Sequence, residues 1–452
     1  MTSLDTILDF AEAATFENLP EPTVEAARTF LADAISVGVA GSTETSAASV
    51  RKTAIGWGRG NQATVLGTGE ELPAASAAFV NSFQVHCQEF DPLHEAATVH
   101  AMAVLTGALL AIGEREDLGG ADLLLGTSIG VEVAVSVGLA AVEGLRFFRP
   151  ATAGTLGATV ALSSLLRMDR STAKHALGLA YSQLAGTMQA HVEGSVALPV
   201  QIAHAARAAV TAIDLAAAGL DGPHDVIDGP YGYFELYERG GTLDGILGSL
   251  GQPWRVTELS HKPYPTGRAA HAMLHAAATL QAEHNFELGD VAGITVTVPP
   301  LVRRLVSRPA VAGMSTNYAR LCLAYLLARL LRDGSIDAAT FEREALDHPD
   351  LIAFGERLTF VEDKTHGIDV LSPQSMRIKL VDTRILDHAV PHTPGSPENP
   401  LDASARQAKL RHCFALAGLD PAPLEAALAV LELTSARDVT AAASPGIAPI
   451  GK

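Results

Sequence analysis

One short polar stretch, residues 88–100, holds the side chains best suited to acid–base chemistry. It places Asp91, His94 and His100 around the helix-breaking Pro92, between two long alanine-rich segments that carry almost no ionisable groups. Chains tolerate such an interruption mainly where it serves a site. His100 would lie in the first turn of the next helix, where the helix dipole lowers the pKa of an imidazole and attracts a carboxylate. We interpret the stretch as an acid–base histidine in an anion site, with a capping aspartate and two partly exposed histidines as the alternative.

A second cluster of cationic residues lies in residues 261–275, where two prolines stiffen the chain. This density of cations is unusual in an acidic chain and would suit the binding of a di- or tricarboxylate. A solvated basic linker explains the cluster about as well. His271 and His275 are four residues apart and could ligate a metal, but Ala272 stands where the zinc-protease pattern has glutamate, so we predict no metal. The cationic residues are His261, Lys262, Arg268, His271 and His275.

Three further residues are weaker candidates. Arg149 precedes Pro150 and a glycine-rich turn, His191 lies in a polar break between helices, and Tyr318 could offer its hydroxyl to a substrate. Helix packing is the better explanation of the turn after Arg149, and a buried, satisfied tyrosine explains Tyr318 at least as well. The sequence has no phosphate-binding P-loop, no dinucleotide fingerprint and no GxSxG elbow. These absences argue against nucleotide-driven chemistry and serine hydrolysis, and they favour cofactor-free proton transfer.

Length and composition indicate a large globular enzyme. A chain of 452 residues exceeds what one core comfortably serves, so we expect two domains. Its formal net charge of -18 repels nucleic acid and anionic membranes, so neither is expected as a partner. Cys87, Cys322 and Cys413 share no metal-ligand spacing and suggest a reducing compartment. We find no signal-peptide pattern and no run of the roughly 18 uncharged apolar residues that a membrane span needs, and we expect a cytoplasmic protein.

Periodicity predicts a mainly α fold with two parts. Alanine-rich helical segments continue to about His261, and strands mix with helices after Glu287. The run ITVTVPP reads as a strand, and MRIKLVDTRILDHAV as two strands with a turn at residues 382–383. PHTPGSPENP reads as a linker, and helices follow it. We therefore predict a large helical domain formed by residues 1–261 and 393–452, with a smaller α+β domain inserted between them at residues 262–392.

Four stretches that together span nearly the whole chain resemble the MmgE/PrpD family, which includes 2-methylcitrate dehydratases, cis-aconitate decarboxylases and an iminodisuccinate epimerase. FDPLHEAATVH resembles the family's F-D-D-T-H element with a further histidine six residues on. KPYPTGRAAH is similar to its K-x-Y-P-x-x-R-x-x-H element. The other two are FFRPATAGTLGATVALSSLL with HALGLAYSQLAG, and PGSPENPLDASARQAKLRHC. The resemblance implies a homodimer without metal or cofactor, a large helical domain with an α+β lid, and an active site between them.

The resemblance also assigns residues. Those at positions matching the family are Asp91, His94, His100, Lys262, Arg268, His271 and Tyr318. The chain departs from the family where Pro92 and Leu93 replace an aspartate and a threonine, and where Ala101 replaces a common proline. Arg149 stands at a position that is often histidine, and Gln201 at one that is often histidine or lysine. The losses at Leu93 and Gln201 weaken the case for decarboxylation of a tricarboxylate.

The resulting hypothesis is a lyase similar to 2-methylcitrate dehydratase, acting on a di- or tricarboxylate by proton abstraction next to a carboxylate. His100 and His271 would transfer protons on opposite faces of the substrate, with Asp91 orienting His94 or His100, and Tyr318 would assist. The predicted substrate-binding residues are His94, Arg149, Gln201, Lys262 and Arg268. An epimerase, isomerase or decarboxylase of a similar acid is the alternative, and a carboxylate-binding protein without turnover is the non-enzymatic one.

Overall fold

The computed structural model describes residues 2–142, 145–238, 240–367 and 369–445. Up to residue 259, helices surround one large hydrophobic core. Small side chains let them approach closely, since a Cβ atom on Gly157 would lie 2.4 Å from the carbonyl oxygen of Gly130 on the neighbouring helix. These helices are α1 Ser3–Ala13, α2 Glu21–Gly41, α3 Thr45–Trp57, α4 Ala74–His86, α5 Ala101–Arg115, α6 Gly120–Leu139, α7 Arg149–Leu165, α8 Arg170–Tyr181, α9 Gln189–Glu193, α10 Ala197–Ala217, α11 Tyr233–Tyr237 and α12 Asp244–Leu247, with a small hairpin of β1 Ala63–Thr64 and β2 Glu71–Leu72.

A second hydrophobic core is built from residues 269–390. Its helices are α13 His271–His284, α14 Pro300–Val306, α15 Thr316–Ala319, α16 Leu323–Asp333, α17 Arg343–Leu346 and α18 Pro349–Phe354, and its strands are β3 Val291–Val298, β4 Leu358–Glu362, β5 Gln374–Leu380 and β6 Ile385–Val390. The strands form one sheet in the order β4-β3-β5-β6, in which only the β3–β4 pairing is parallel. Alternate residues of β5 are buried, which is the period of a strand with one face on a core.

The C-terminal helices return to the first core. They are α19 Ala403–Leu416, α20 Ala422–Ala429 and α21 Ala436–Ala442. Phe414, Leu424 and Val439 belong to the same buried cluster as α2 to α10. The predicted mainly α fold is thereby confirmed. The two cores fall on either side of the predicted boundaries, while the division into separate domains stays a prediction.

The strands show where periodicity succeeds and where it fails. The predicted β5–β6 hairpin is present, and Thr383 at its turn has a φ of 73°. The edge strand β4 was not predicted, because LTFVE is short and its consecutive apolar residues Phe360 and Val361 break the alternation of apolar and polar residues. All five of its residues are exposed or half-buried. The helical periodicity of residues 315–334 is divided between two helices, since the chain turns at residues 320–322 between α15 and α16.

The helix α6 is long and apolar enough to cross a bilayer by length and composition. Most of it is buried inside the protein, and it contains the buried acid Glu132. Glu132 accepts hydrogen bonds from the backbone N–H groups of Gly251 and Arg255, so its carboxylate is held by other parts of the folded chain. The core helix of a globular protein passes the same length test, so α6 is weak evidence for a membrane span.

Candidate active site

The polar stretch is the connection between α4 and α5, and its backbone is firmly held. Leu93 forms an isolated antiparallel bridge with Ser260, which immediately precedes the second cationic cluster. Glu89 and Thr98 have φ angles of 53° and 51°, a left-handed conformation that non-glycine residues rarely adopt. Such strain persists only where surrounding contacts over-determine the backbone, and it is common at functional sites.

Asp91 is fully buried between two imidazoles. Its Oδ2 lies 2.8 Å from Nδ1 of His100, and its Oδ1 lies 3.1 Å from Nδ1 of His86. Burial alone would raise the pKa of Asp91, but the charges and hydrogen bonds of His100 and His86 outweigh burial and hold that pKa well below its usual value. Asp91 is therefore a carboxylate that fixes two rings. The contact with His100 is the one that the sequence analysis expected.

His100 caps the N-terminus of α5 and lines a cavity. Its Nδ1 donates to Asp91, while its Nε2 has no hydrogen-bond partner among the described residues. Burial has the largest effect on His100 and lowers its pKa below 6.5, although Asp91 opposes this. The ring is thus neutral near pH 7, with its proton on Nδ1 and the lone pair of Nε2 available to accept a proton.

A buried chain of charges continues behind His100. Burial would lower the pKa of His86, but Asp91 and Glu89 outweigh it and raise that pKa. Glu89 accepts a hydrogen bond of 2.9 Å from Nζ of Lys262, which also donates to the Glu89 carbonyl oxygen at 3.0 Å. Burial opposes ionisation of Glu89, yet Lys262 and His86 lower its pKa to about 2. Charges of opposite sign therefore alternate from Lys262 through Glu89 and His86 to Asp91.

The cavity in front of His100 has a volume of about 60 Å³ and lies between the two cores. One water requires roughly 10–15 Å³ by this measure, so the cavity has room for about four. Most of its wall is apolar. The first part of the chain contributes Glu89, Leu93, Thr98, His100, Leu145, Phe148, Pro150, Met188 and His191, and the second core contributes Gly267, Arg268, Ala269, Leu305, Val306, Leu321 and Leu371.

His191, in the short helix α9, is the second imidazole of this cavity. Nη2 of Arg308 lies 3.4 Å from its Nδ1 and donates to its carbonyl oxygen at 2.9 Å. Burial, followed by the charge of Arg308, lowers the pKa of His191 to about 4. Because Nδ1 faces a cation that can only donate, the proton of the neutral ring lies on Nε2. His191 is therefore placed to donate a hydrogen bond, while His100 is placed to accept a proton.

The predicted substrate-binding cations are paired with acids of the protein itself. The Arg268 guanidinium also donates to the carbonyl oxygens of His261, Thr393 and Pro394. Removing a cation from water requires a compensating charge nearby, and a glutamate supplies it in each case. The pairs, at 2.7–2.9 Å, are Lys262 with Glu89, Arg268 with Glu95 and Arg149 with Glu238. Each of these three predicted substrate-binding cations thus already has an ionic partner in the protein, and their role in binding stays a prediction.

The structure does not bring His271 into the cavity with His100. His271 is fully buried, its Nε2 lies 3.2 Å from the carbonyl oxygen of Thr266, and its ring packs edge-on against Tyr264. Burial, then the charges of Arg268 and Lys262, lowers its pKa well below the usual value. The expected meeting of His100 and His271 across one cavity is therefore corrected, and His191 occupies that place. A catalytic role for His271 stays a prediction.

Three other predicted residues also lie outside the cavity wall. His94 accepts a hydrogen bond from the Ala97 N–H and contacts Glu258 at 3.1 Å. Gln201 accepts a hydrogen bond from the Thr187 N–H at 2.6 Å. The Tyr318 hydroxyl, expected to face the substrate, donates instead to the carbonyl oxygen of Pro309, and its ring packs against Arg308 at 4.9 Å. Tyr318 thus supports the arginine that holds His191.

Sequence reasoning missed His86, Glu89 and Arg308, and it gave His191 little weight. His86 was detectable, because a histidine at the end of the buried helix α4 stands only five residues before Asp91. Glu89 belongs to the polar stretch itself. Arg308 lies 117 residues from His191 in sequence, and no local pattern could have joined them.

One group in the described ranges has ligand atoms close enough for a metal. His86, Asp91 and His100 each offer one such atom, and these lie within 4.8 Å of one another. Both Nδ1 atoms already point at Asp91 over distances typical of hydrogen bonds, so no lone pairs converge on a common point. The arrangement fits proton sharing better than metal binding. The expectation that the protein needs no metal or cofactor stays a prediction.

Comparisons with known proteins agree with these motifs. The model of the MmgE/PrpD N-terminal domain matches residues 5–245, and that of the MmgE/PrpD C-terminal domain matches residues 264–427. The chain is 29% identical over 293 residues to the human cis-aconitate decarboxylase, covering 62% of this chain and 59% of the human protein. It is 27% identical over 354 residues to the cis-aconitate decarboxylase-like protein oryM of Aspergillus oryzae, covering 73% of each. The cis-aconitate decarboxylase of Aspergillus terreus is 23% identical over 361 residues, covering 74% of this chain and 73% of that protein.

Proposed function

The chain belongs to the MmgE/PrpD family, and on that premise we propose that it is a lyase that acts on a small polycarboxylate. The reaction begins with removal of a proton from the carbon next to a carboxylate. The observation that carries the proposal is the Asp91–His100 pair at the cavity wall, with Oδ2 2.8 Å from Nδ1. A carboxylate that fixes one imidazole nitrogen leaves the other as a general base of defined tautomer.

His191 in the cavity wall, and Arg308 behind it, supply further groups that the reaction needs. When the C–O bond of a β-hydroxyl breaks, Nε2 of neutral His191 can donate a hydrogen bond to the departing oxygen. The proton that His100 has removed from carbon then completes the water and restores the neutral base. Nη1 of Arg308 is buried and has no hydrogen-bond partner in the described parts of the chain. A substrate carboxylate would satisfy this donor, since a guanidinium binds carboxylates through several N–H groups. Arg308 thereby replaces the three paired cations as the proposed carboxylate ligand.

Cavity size limits the substrate. Space for about four waters corresponds to roughly 120 Å³ of liquid, which suits a small dicarboxylate better than a tricarboxylate. Residues of both cores form the wall, so a shift of residues 262–392 relative to the helical core would open it. We propose that these residues act as the lid over the active site. A homodimer, as the resemblance implies, remains part of the proposal and is testable by light scattering.

Incubation with di- and tricarboxylates in deuterated water tests the reaction. We expect a proton-transfer lyase to convert one of these acids into an absorbing alkene and water. Deuterium in recovered substrate of inverted configuration would instead identify an epimerase. Calorimetric binding of an acid without any product would favour a carboxylate-binding protein that has no turnover. The same assay with a metal chelator should proceed at an unchanged rate if no metal takes part.

Decarboxylation is the second candidate, and the wall of the cavity favours it. Most lining residues, among them Phe148, Met188 and Leu321, are apolar. A carboxylate is destabilised in such surroundings relative to uncharged carbon dioxide. The relatives compared above carry the name cis-aconitate decarboxylase. Release of carbon dioxide in the same incubation separates this reaction from the dehydration that the neutral His100 supports.

The pH dependence of kcat/KM should identify His100 as the base. Its pKa lies below 6.5, so the proton-accepting form predominates at neutral pH and is lost as the pH falls through that lower pKa. We expect kcat/KM to decline tenfold for each unit below the pKa, with a midpoint under 6.5. The variant Asp91→Asn removes the charge that raises the pKa of His100, so the residual activity should have a midpoint at still lower pH. Comparing both proteins with one substrate cancels the titration of the substrate itself.

A further inference from the structure

A second cavity, whose wall carries several charged side chains, lies on the far side of the Asp91 stretch, where the C-terminal helices meet α2. Its volume is about 260 Å³, comparable with the smaller ligand-binding cavities of proteins. Two segments far apart in sequence enclose it, namely α2 and the α19–α20 pair. His261 closes it from the start of the cationic cluster. The lining residues are Arg28, Thr29, Ala32, Asp33, His261, Arg406, Gln407, Leu410, Glu425 and Leu428.

One positively charged residue of this cavity has no acidic partner among the described residues. This residue is Arg406, whose side chain donates, within the described ranges, only to the backbone carbonyl oxygen of Leu401. The other charged lining residues are compensated. Their pairs are Arg28 with Glu432, Asp33 with Lys409 and Glu425 with Arg411. An uncompensated arginine at a cavity wall is notable in a chain whose formal net charge is -18.

His261 adds an unsatisfied polar atom to the same wall. Its ring stacks on Phe30 with centroids 4.3 Å apart, and only 6% of the residue is exposed. Nε2 is buried and has no hydrogen-bond partner in the described part of the chain. Burial, together with the charges of Lys409, Arg406 and Arg268, lowers the pKa of His261 to about 2. The ring is therefore neutral, and one of its nitrogens is available to a ligand in the cavity.

We propose that this cavity is a binding site for a small oxyanion, a phosphate or a carboxylate, held by the Arg406 guanidinium and the His261 ring. An anion would compensate Arg406 and accept a hydrogen bond from a ring nitrogen of His261. Arginine favours oxyanions because its planar group donates two parallel hydrogen bonds. This site is separate from the proposed active site and does not depend on the reaction assigned there.

The anion site is linked to the active site through the side chain of Lys409. Nζ of Lys409 joins Asp33, which lines the anion site, to the carbonyl oxygen of Phe90 at 2.8 Å. Phe90 immediately precedes Asp91, and His261 immediately precedes Lys262. An anion that alters the charge around Asp33 and His261 therefore acts on the two segments that position His100. The site is placed to modulate the activity of the first cavity.

Calorimetric titration of the full chain with inorganic phosphate at low ionic strength tests the site. We expect one saturable event per chain in the wild type and at least a tenfold weaker affinity in Arg406→Gln. His261→Phe retains a ring on Phe30 but removes both nitrogens, and it should weaken binding severalfold. Arg384→Gln, at the exposed β5–β6 turn, is the matched control and should bind as the wild type does. Repetition with succinate establishes whether the site also takes carboxylates.

A measurement on the wild type keeps the proposal testable if Arg406→Gln does not fold. Bound phosphate should raise the pKa of His261 and shift its ring resonances in NMR spectra, which His261→Phe identifies by their loss. The proposal is overturned if phosphate produces no saturable event, or if it binds equally well to Arg406→Gln. Phosphate binding that is lost in His191→Phe and retained in Arg406→Gln would place the anion in the active-site cavity and overturn it as well.

Discussion

Replacement of His100 by glutamine is expected to lower kcat by about 10²- to 10⁴-fold, the usual contribution of a positioned acid–base group. Glutamine can still donate a hydrogen bond to Asp91, but it cannot accept a proton at the position of Nε2. The side chain lies at the cavity wall rather than in the core, so folding should be retained. Single-turnover rates measure the loss of activity, using the substrate acid that the incubation in deuterated water identifies. Circular dichroism measures whether the variant is folded.

His284→Gln is the matched control for this variant. It makes the same substitution at the exposed end of α13, a helix that packs on the second core. This position lies away from both cavities. Its turnover should equal that of the wild type. If His100→Gln retained wild-type kcat, His100 would not be the base. The same loss from His271→Gln, with stability unchanged, would restore the residue that the sequence analysis paired with His100.

The sequence could indicate the position of the candidate site because the signal of that site is local. Asp91 and His100 are nine residues apart, in a polar stretch flanked by apolar helices, and this contrast survives without coordinates. The mainly α fold was predictable for a similar reason, since 3.6-residue periodicity and alanine content are properties of single segments. The two cores fall where composition changes near residues 261 and 392.

The partners of the charged groups were not predictable, because they depend on contacts between distant segments. Lys262 and Glu89 are 173 residues apart, and the sequence could show a surplus of cations at residues 261–275 without showing which acid compensates each one. For the same reason, the sequence could not show that His191, and not His271, lines the cavity with His100. The motif predicts that His271 is accessible to a substrate. Its accessibility depends instead on how Tyr264 and Thr266 pack around the ring. The departures from the family at Leu93 and Gln201 stay predictions of a different substrate, although Leu93 lines the cavity and Gln201 lies outside it.

The largest loss of stability is expected from Lys262→Met. The Lys262 side chain is fully buried, and its ammonium group compensates Glu89 beside the already ionised Asp91. Removing one member of a buried ion pair leaves the other charge unpaired, at a cost of about 3–5 kcal/mol in the free energy of unfolding. The double variant Lys262→Met/Glu89→Gln removes both charges and should recover most of that loss. Urea unfolding of the wild type and the variants measures these differences.

Lys364→Met provides the comparison for an exposed pair. Its ammonium group lies 3.8 Å from Glu362 with the lysine side chain 69% exposed, and the substitution should cost less than about 0.5 kcal/mol. Equal stability of Lys262→Met and Lys364→Met would contradict the buried pair.

The KM of the double variant Lys262→Met/Glu89→Gln then separates the two roles considered for Lys262. If Lys262 binds a substrate carboxylate, KM rises even though stability is recovered. If its task is to hold Glu89, a folded double variant keeps a KM near that of the wild type, and the carboxylate must be bound elsewhere, with Arg308 as the proposed ligand.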